Sequence, residues 1–204
     1  MGLYRAGFDV MGVDIKPQPH YPFIFIQADA LAYPLEGYDA YWARPPCQAF
    51  STIAKQNRVL CPSKYDHPDL IAPTRNRLIE TGKPFIIENV QGAPLINPVR
   101  LCGSWFGLNL HRHRLFETNF GVLGTPCSHY WQKPRFRSLD KRRTKQLASV
   151  VGVHGHINYS GERDLREAAM GIDWMDSDEL VEAIPPAYAE YLGKHLMNQL
   201  VMPL

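Results

Sequence analysis

A cysteine, a glutamate and two arginines carry most of the chemistry this sequence offers. Cys47 sits in Pro-Pro-Cys-Gln at 45–48, where Pro45 and Pro46 stiffen the approach and withhold backbone donors. A thiolate on such a rigid strand-to-loop junction can attack an electrophilic carbon; the common alternative is a small buried apolar residue. Glu88 follows the apolar run Phe85-Ile86-Ile87. Its carboxyl is therefore expected to be partly desolvated, which favours a proton-donating form; an ordinary surface acid at a strand end is the alternative. Arg112 and Arg114 alternate in His-Arg-His-Arg at 111–114. In a strand both would point to one face, where two guanidiniums can clamp an anion or orient a heteroaromatic ring. An exposed ion-pair face would use the same residues.

These residues need a scaffold, and the hydrophobic pattern predicts one. Residues 1–8 read as the end of a helix closed by Gly7. Short apolar strands are expected at 10–15, 23–27 and 38–43, the last stopped by Pro45-Pro46. Residues 48–65 read as a long loop. A helix is expected over 66–82, delayed or kinked by Pro73 and ended by Gly82. The clearest buried strand is 84–90. A short helix over 97–108 and a strand over 112–119 follow, and helical stretches at 164–175 and 186–200 close the chain. Strands alternating with helices predict an α/β fold with a parallel sheet. In such sheets the ligand crevice lies beyond the carboxyl ends of the strands, where Asp14, Asp29, Cys47 and Glu88-Asn89 all fall.

Composition narrows the class. The 204 residues are 45% hydrophobic, enough for a core of one domain or slightly more, and too apolar for a largely disordered chain. No apolar run approaches the ~20 residues of a membrane-spanning helix, and the opening decapeptide has no signal-peptide pattern. Four cysteines without regular spacing suit a reducing compartment, so the cytoplasm is expected. The net charge of +2 hides an uneven distribution. Residues 130–146 hold seven basic residues (Lys133, Arg135, Arg137, Lys141, Arg142, Arg143 and Lys145) against Asp140 alone. A basic segment interleaved with Tyr130, Trp131 and Phe136 suggests a polyanion contact with stacking surfaces beside it; a solvated face has the same composition.

Four blocks in order, Pro-Pro-Cys-Gln at 45–48, Glu-Asn-Val at 88–90, Arg-His-Arg at 112–114 and PPAYAEYLG at 185–193, resemble the cytosine-5 DNA methyltransferase family. The resemblance runs through nearly the whole chain. It implies a Rossmann-like S-adenosylmethionine-dependent methyltransferase sheet that transfers a methyl group to carbon 5 of a cytosine flipped from the duplex. Cys47 would form the covalent adduct, Glu88 would donate to the ring, and Arg114 with Arg112 would steady ring and loop. Asp14 and Ile15 match the ribose-binding strand end, Asp29-Ala30 the pair at the adenine, and Pro45 the lining of the methyl-donor pocket. Gln48, Ser51 and Asn89 would face the substrate, and the 48–65 loop would close over it. The sequence departs from the family at Leu110, where a glutamine is usual, and at Val181-Glu182, where Gly-Asn is usual. Its opening residues match the helix that follows the family's glycine-rich turn. The strand and turn before that helix are not represented, so a gap is expected between the strands at 10–15 and 38–43, exposing two edges.

The resemblance divides the chain into a catalytic core at 1–119, a small basic target-recognition module at 120–162 and C-terminal helices at 163–204 that pack back on the core. Within the module, Lys133, Arg135, Arg137, Arg142 and Arg143 would contact phosphates. The expected partner is double-stranded DNA, in a bacterial or phage-infected cell. A complementing N-terminal fragment is one explanation of the gap; otherwise a monomer is expected. Two further readings stand beside this one, a catalytically impaired or split member acting as a DNA-binding subunit, and an RNA cytosine-5 methyltransferase. Cys127-x-His129 and His154-x-His156 offer four zinc ligands, but the spacing matches no standard zinc pattern and no metal is assigned. Cys61 and Cys102 read as structural or incidental thiols.

Overall fold

The computed structural model describes residues 1–50, 67–127, 129, 150–153 and 163–201. In chain order these form α1 (Gly2–Arg5), β1 (Met11–Asp14), β2 (Ile24–Gln27), β3 (Tyr41–Ala43), α2 (Ile71–Glu80), β4 (Phe85–Asn89), β5 (Val99–Leu101), β6 (Arg114–Thr118), α3 (Arg163–Met170), α4 (Ser177–Glu182) and α5 (Pro186–Val201). The result is a mixed α/β fold. No helix among the described residues is long and apolar enough to cross a membrane.

All five residues of β4 are buried. A strand buried on both faces needs a layer on each side, and the chain supplies both. Phe85 and Ile87 meet Leu78 of α2 on one face, with Leu35, Tyr41, Ala43 and Leu95 around them. Ile86 lies on the other face with Leu101, Phe116 and one stripe of α5, Tyr188, Leu192 and Leu196, spaced four residues apart. α5 also receives α1, and the close approach relies on Gly2 and Gly193. A second core gathers Leu110, Val153, Met170, Ile172 and Leu180, bringing α3 and α4 against the segment before β6.

The strands form two sheets. β1 and β2 pair in parallel, and a four-stranded sheet runs in the order β3-β4-β6-β5. Among the described residues β1 pairs only with β2, and β3 only with β4. The sheet is mixed, not parallel throughout as expected. β3 and β4 are parallel, but β6 runs antiparallel to both β4 and β5. A parallel return requires a crossover, usually a helix. The 102–113 connection holds only a 3-10 turn at Gly103–Phe106, stopped by Gly107 at φ 69°, so β6 turns straight back.

Other differences also have local causes. The expected helix over 97–108 is replaced by β5 and that 3-10 turn. The 66–82 helix starts at Ile71, whose N–H donates to Asp69 Oδ1 at 2.9 Å just ahead of the helix. Pro73 falls within its first turn, where the missing N–H has no partner to lose. The 164–175 stretch ends at Met170 because Gly171 adopts φ 67°. A capping box on Asp176 and Glu179 then starts α4. The last strand begins at Arg114, not at residue 112.

Candidate active site at the carboxyl ends of β3 and β4

The β3–β4 register decides which side chains meet. Ala43 is paired with Ile87, so Arg44 comes beside Glu88 and Pro45 beside Asn89. Arg44 Nε lies 3.0 Å from Glu88 Oε2, and Asn89 Nδ2 donates to the Pro45 carbonyl at 2.9 Å. On the other flank, Glu88 is paired with Phe116 of antiparallel β6. Arg114 lies two residues earlier in β6 on the same face, the diagonal position within reach of a long side chain. Its Nε is 3.1 Å from Glu88 Oε1. Glu88 is 2% exposed, so the expected desolvation is present. It is accompanied by two guanidiniums, one on each carboxylate oxygen.

Cys47 stands two residues beyond Pro45 and is half-buried. The chain turns sharply after it, with Phe50 N–H donating to the Cys47 carbonyl at 3.0 Å. Burial pushes the Arg114 guanidinium below the usual arginine range. Glu88 opposes that fall, Arg44 adds to it, and the charge of a Cys47 thiolate opposes it again. The structure brings Cys47, Glu88, Asn89, Pro45 and Arg114 to one end of the sheet, with exposed Gln48 alongside.

Arg112 takes a different place from the one expected of a strand residue on the Arg114 face. It precedes the strand, at φ 22°. Its guanidinium donates to the carbonyls of Val153, Val181 and Ala183, the Val181 bond measuring 2.7 Å. Burial, then Arg114 and Arg44, lower it to about 9, so it remains a cation at neutral pH. The Tyr188 hydroxyl donates to the Arg112 carbonyl at 3.0 Å. Burial pushes that phenol well above its ordinary value and keeps it a donor. Arg112 therefore joins the smaller core to the start of β6. The 181–183 segment contributes backbone carbonyls to this joint.

The residues expected to hold a cofactor cluster at the ends of β1 and β2. Asp14 Oδ1 accepts from Lys16 N–H, and Asp29 Oδ1 from Leu31 N–H, each at 2.8 Å. Ile15 is exposed, and its carbonyl accepts from Gln27 Nε2 at 3.1 Å. Arg77 of α2 donates to the Ala30 carbonyl at 2.6 Å and to that of Tyr33, fixing the loop after β2. Ser51, Lys133, Arg135, Arg137, Arg142 and Arg143 lie outside the described residues, as do His154 and His156.

Arg44 was not anticipated from sequence. The signal was the register itself, since pairing the two strands so that Pro-Pro-Cys and Glu-Asn share one end sets residue 44 beside residue 88. No known family matches the chain, and no curated protein or solved structure is significantly similar to it.

Proposed function

We propose that this chain is a DNA cytosine-5 methyltransferase using S-adenosylmethionine, with Cys47 as nucleophile. The observation that carries this reading is the grouping at the end of β3 and β4, where Arg114 pairs with the buried Glu88 carboxylate at 3.1 Å and the half-buried Cys47 follows the Pro45 that Asn89 holds. A thiol, a carboxyl and a guanidinium at one strand end are the groups that addition to a pyrimidine ring requires.

The Cys47 thiolate adds to carbon 6 of cytosine, forming a sulfur–carbon bond, and the C5–C6 π pair moves to carbon 5. A proton shared between the Glu88 carboxyl and N3 of the ring keeps negative charge from accumulating there. Arg114 holds that carboxyl and steadies the cysteine. Once carbon 5 carries its methyl group, a base removes the carbon 5 proton. The double bond then re-forms, the N3 proton returns to Glu88 and the thiolate is expelled. The target base leaves its stack to reach such a site.

The residues present fit an adenosine-bearing cofactor. Asp14 and Asp29 offer carboxylate acceptors for ribose hydroxyls and an amine, at the carboxyl ends of adjacent parallel strands, where nucleotides bind in open α/β sheets. Pro45, buried at the end of β3, would line the methyl-donor end as the resemblance implies. When bound, S-adenosylmethionine supplies the electrophilic methyl. The Rossmann-like reading is supported by the parting of the sheets at β1 and β3, the position of the expected gap.

The test is incorporation of labelled methyl from S-adenosylmethionine into duplex DNA and into tRNA. The expected product is 5-methylcytosine in duplex DNA, abolished by Cys47→Ala while DNA binding persists. Undiminished turnover by Cys47→Ala would remove the cysteine from its role, and label in tRNA alone would replace DNA with RNA as substrate.

A further inference from the structure

Cys102 and Cys127, distant in sequence, meet His113 and His129 in one small cluster. The four donor atoms all lie within 4.8 Å of one another. Cys102 Sγ is 3.1 Å from His129 Nε2, and Cys127 Sγ is 3.2 Å from His113 Nε2. The sheet register explains the first pair of ligands. Leu101 of β5 is paired with Arg114 of β6, so Cys102 and His113 are the next positions along the same antiparallel ladder. Gly103 N–H donates to the His111 carbonyl at 3.1 Å and continues that ladder. Cys127 and His129 then arrive from the segment beyond β6. The His111 ring stacks on His129 at 3.7 Å and 11°, which fixes the orientation of the imidazole.

We propose that Cys102, His113, Cys127 and His129 form a tetrahedral zinc site. A zinc ion with Zn–S of about 2.3 Å and Zn–N of about 2.0 Å holds its donors roughly 3.3–3.8 Å apart, so the cluster needs only sub-ångström to ångström adjustment. Two sulfurs and two imidazole nitrogens are a set that favours zinc. Four protein ligands leave no open position, which makes the site structural. It fastens the beginning of the 120–162 segment to the β5–β6 edge. Because His113 is the residue before Arg114, it also anchors the start of the strand that carries Arg114. The zinc site is independent of the methyl-transfer reading, and it replaces the pairing of Cys127 and His129 with His154 and His156.

Metal analysis of the intact purified chain tests this. About one zinc per chain is expected, and replacement by Co2+ should give the visible absorption of a tetrahedral thiolate-bound ion. Cys102→Ser and His129→Asn should each weaken zinc binding by at least about 100-fold, beyond the loss caused by removing an outer-shell partner. Cys47→Ala should keep its zinc, which separates failure of this site from failure of the proposed activity. The proposal is overturned if the wild-type chain neither retains zinc nor gives the tetrahedral cobalt spectrum. It is overturned equally by an iron–sulfur chromophore, or by a mass two hydrogens lower from a Cys102–Cys127 disulfide.

Discussion

Asn89 fastens the loop that bears Cys47, because its side-chain amide donates to the Pro45 carbonyl across 2.9 Å at a position only 1% exposed. Its own Oδ1 accepts from Val90 N–H at 2.9 Å. Asn89→Ala removes both bonds and leaves a buried carbonyl unpaired, for an expected loss of about 1–3 kcal/mol. Methyl transfer should fall further than that loss explains, since the thiol loses its fixed approach. Urea unfolding and single-turnover kinetics on the same preparation check the two effects.

Arg112 and Arg114 should separate cleanly. Arg112→Ala strands three carbonyls at the joint between the two cores, and about 2–4 kcal/mol of stability should go with it. Arg114→Ala leaves Glu88 paired with Arg44, so stability should suffer less. Turnover should drop about 100-fold or more, the usual effect of deleting a preorganised polar group from a reacting centre. Thermal midpoints and kcat, measured for both variants, test the contrast; the reverse pattern would exchange their roles.

Glu117 and Arg75 form a further buried ion pair, with Arg75 Nε 2.5 Å and Nη2 2.7 Å from the two carboxylate oxygens. The Ile96 N–H adds a third bond to Glu117 at 2.7 Å. Arg75→Ala leaves a buried charge uncompensated, at a cost of about 3–5 kcal/mol. Adding Glu117→Gln should recover part of that loss, because the unpaired charge disappears. A double-mutant cycle by chemical denaturation measures the coupling.

Gly193 lets α1 lie against α5. A Cβ there would sit 2.8 Å from Ala6 Cβ and 3.2 Å from Leu3 Cδ2. Gly193→Ala, normally favourable within a helix, should instead destabilise the chain by about 1–3 kcal/mol through overpacking. Hydrogen exchange should show faster opening of residues 2–6, while β4 keeps its protection relative to the global value.

Much of the scaffold was legible in the sequence, for a definite reason. The 84–90 run has one reading because a continuous apolar segment of that length, followed by polar residues, suits a strand covered on both faces. Gly82 stops α2 as expected, since its φ of 63° suits glycine. The sequence reading failed where neighbours decide the outcome. Arg112 and Arg114 alternate as strand residues do, but the backbone departs from the strand at Arg112, and alternation alone cannot reveal that. Cys102 carried no local mark of a ligand, because its companions come from two other segments. The Asp176–Glu179 capping box was readable and marks a separate helix beyond the 164–175 stretch, while Gly171 marks where that stretch ends.

The covering of β4 by α2 on one side and α5 on the other also orders events during synthesis. α2 leaves the ribosome just before the strand it shields, so the Phe85 and Ile87 side can close at once. The Ile86 and Phe116 side must wait for α5, and the nascent chain meanwhile presents a greasy, half-assembled sheet. That interval is when a chaperone would be needed and when self-association would compete with folding.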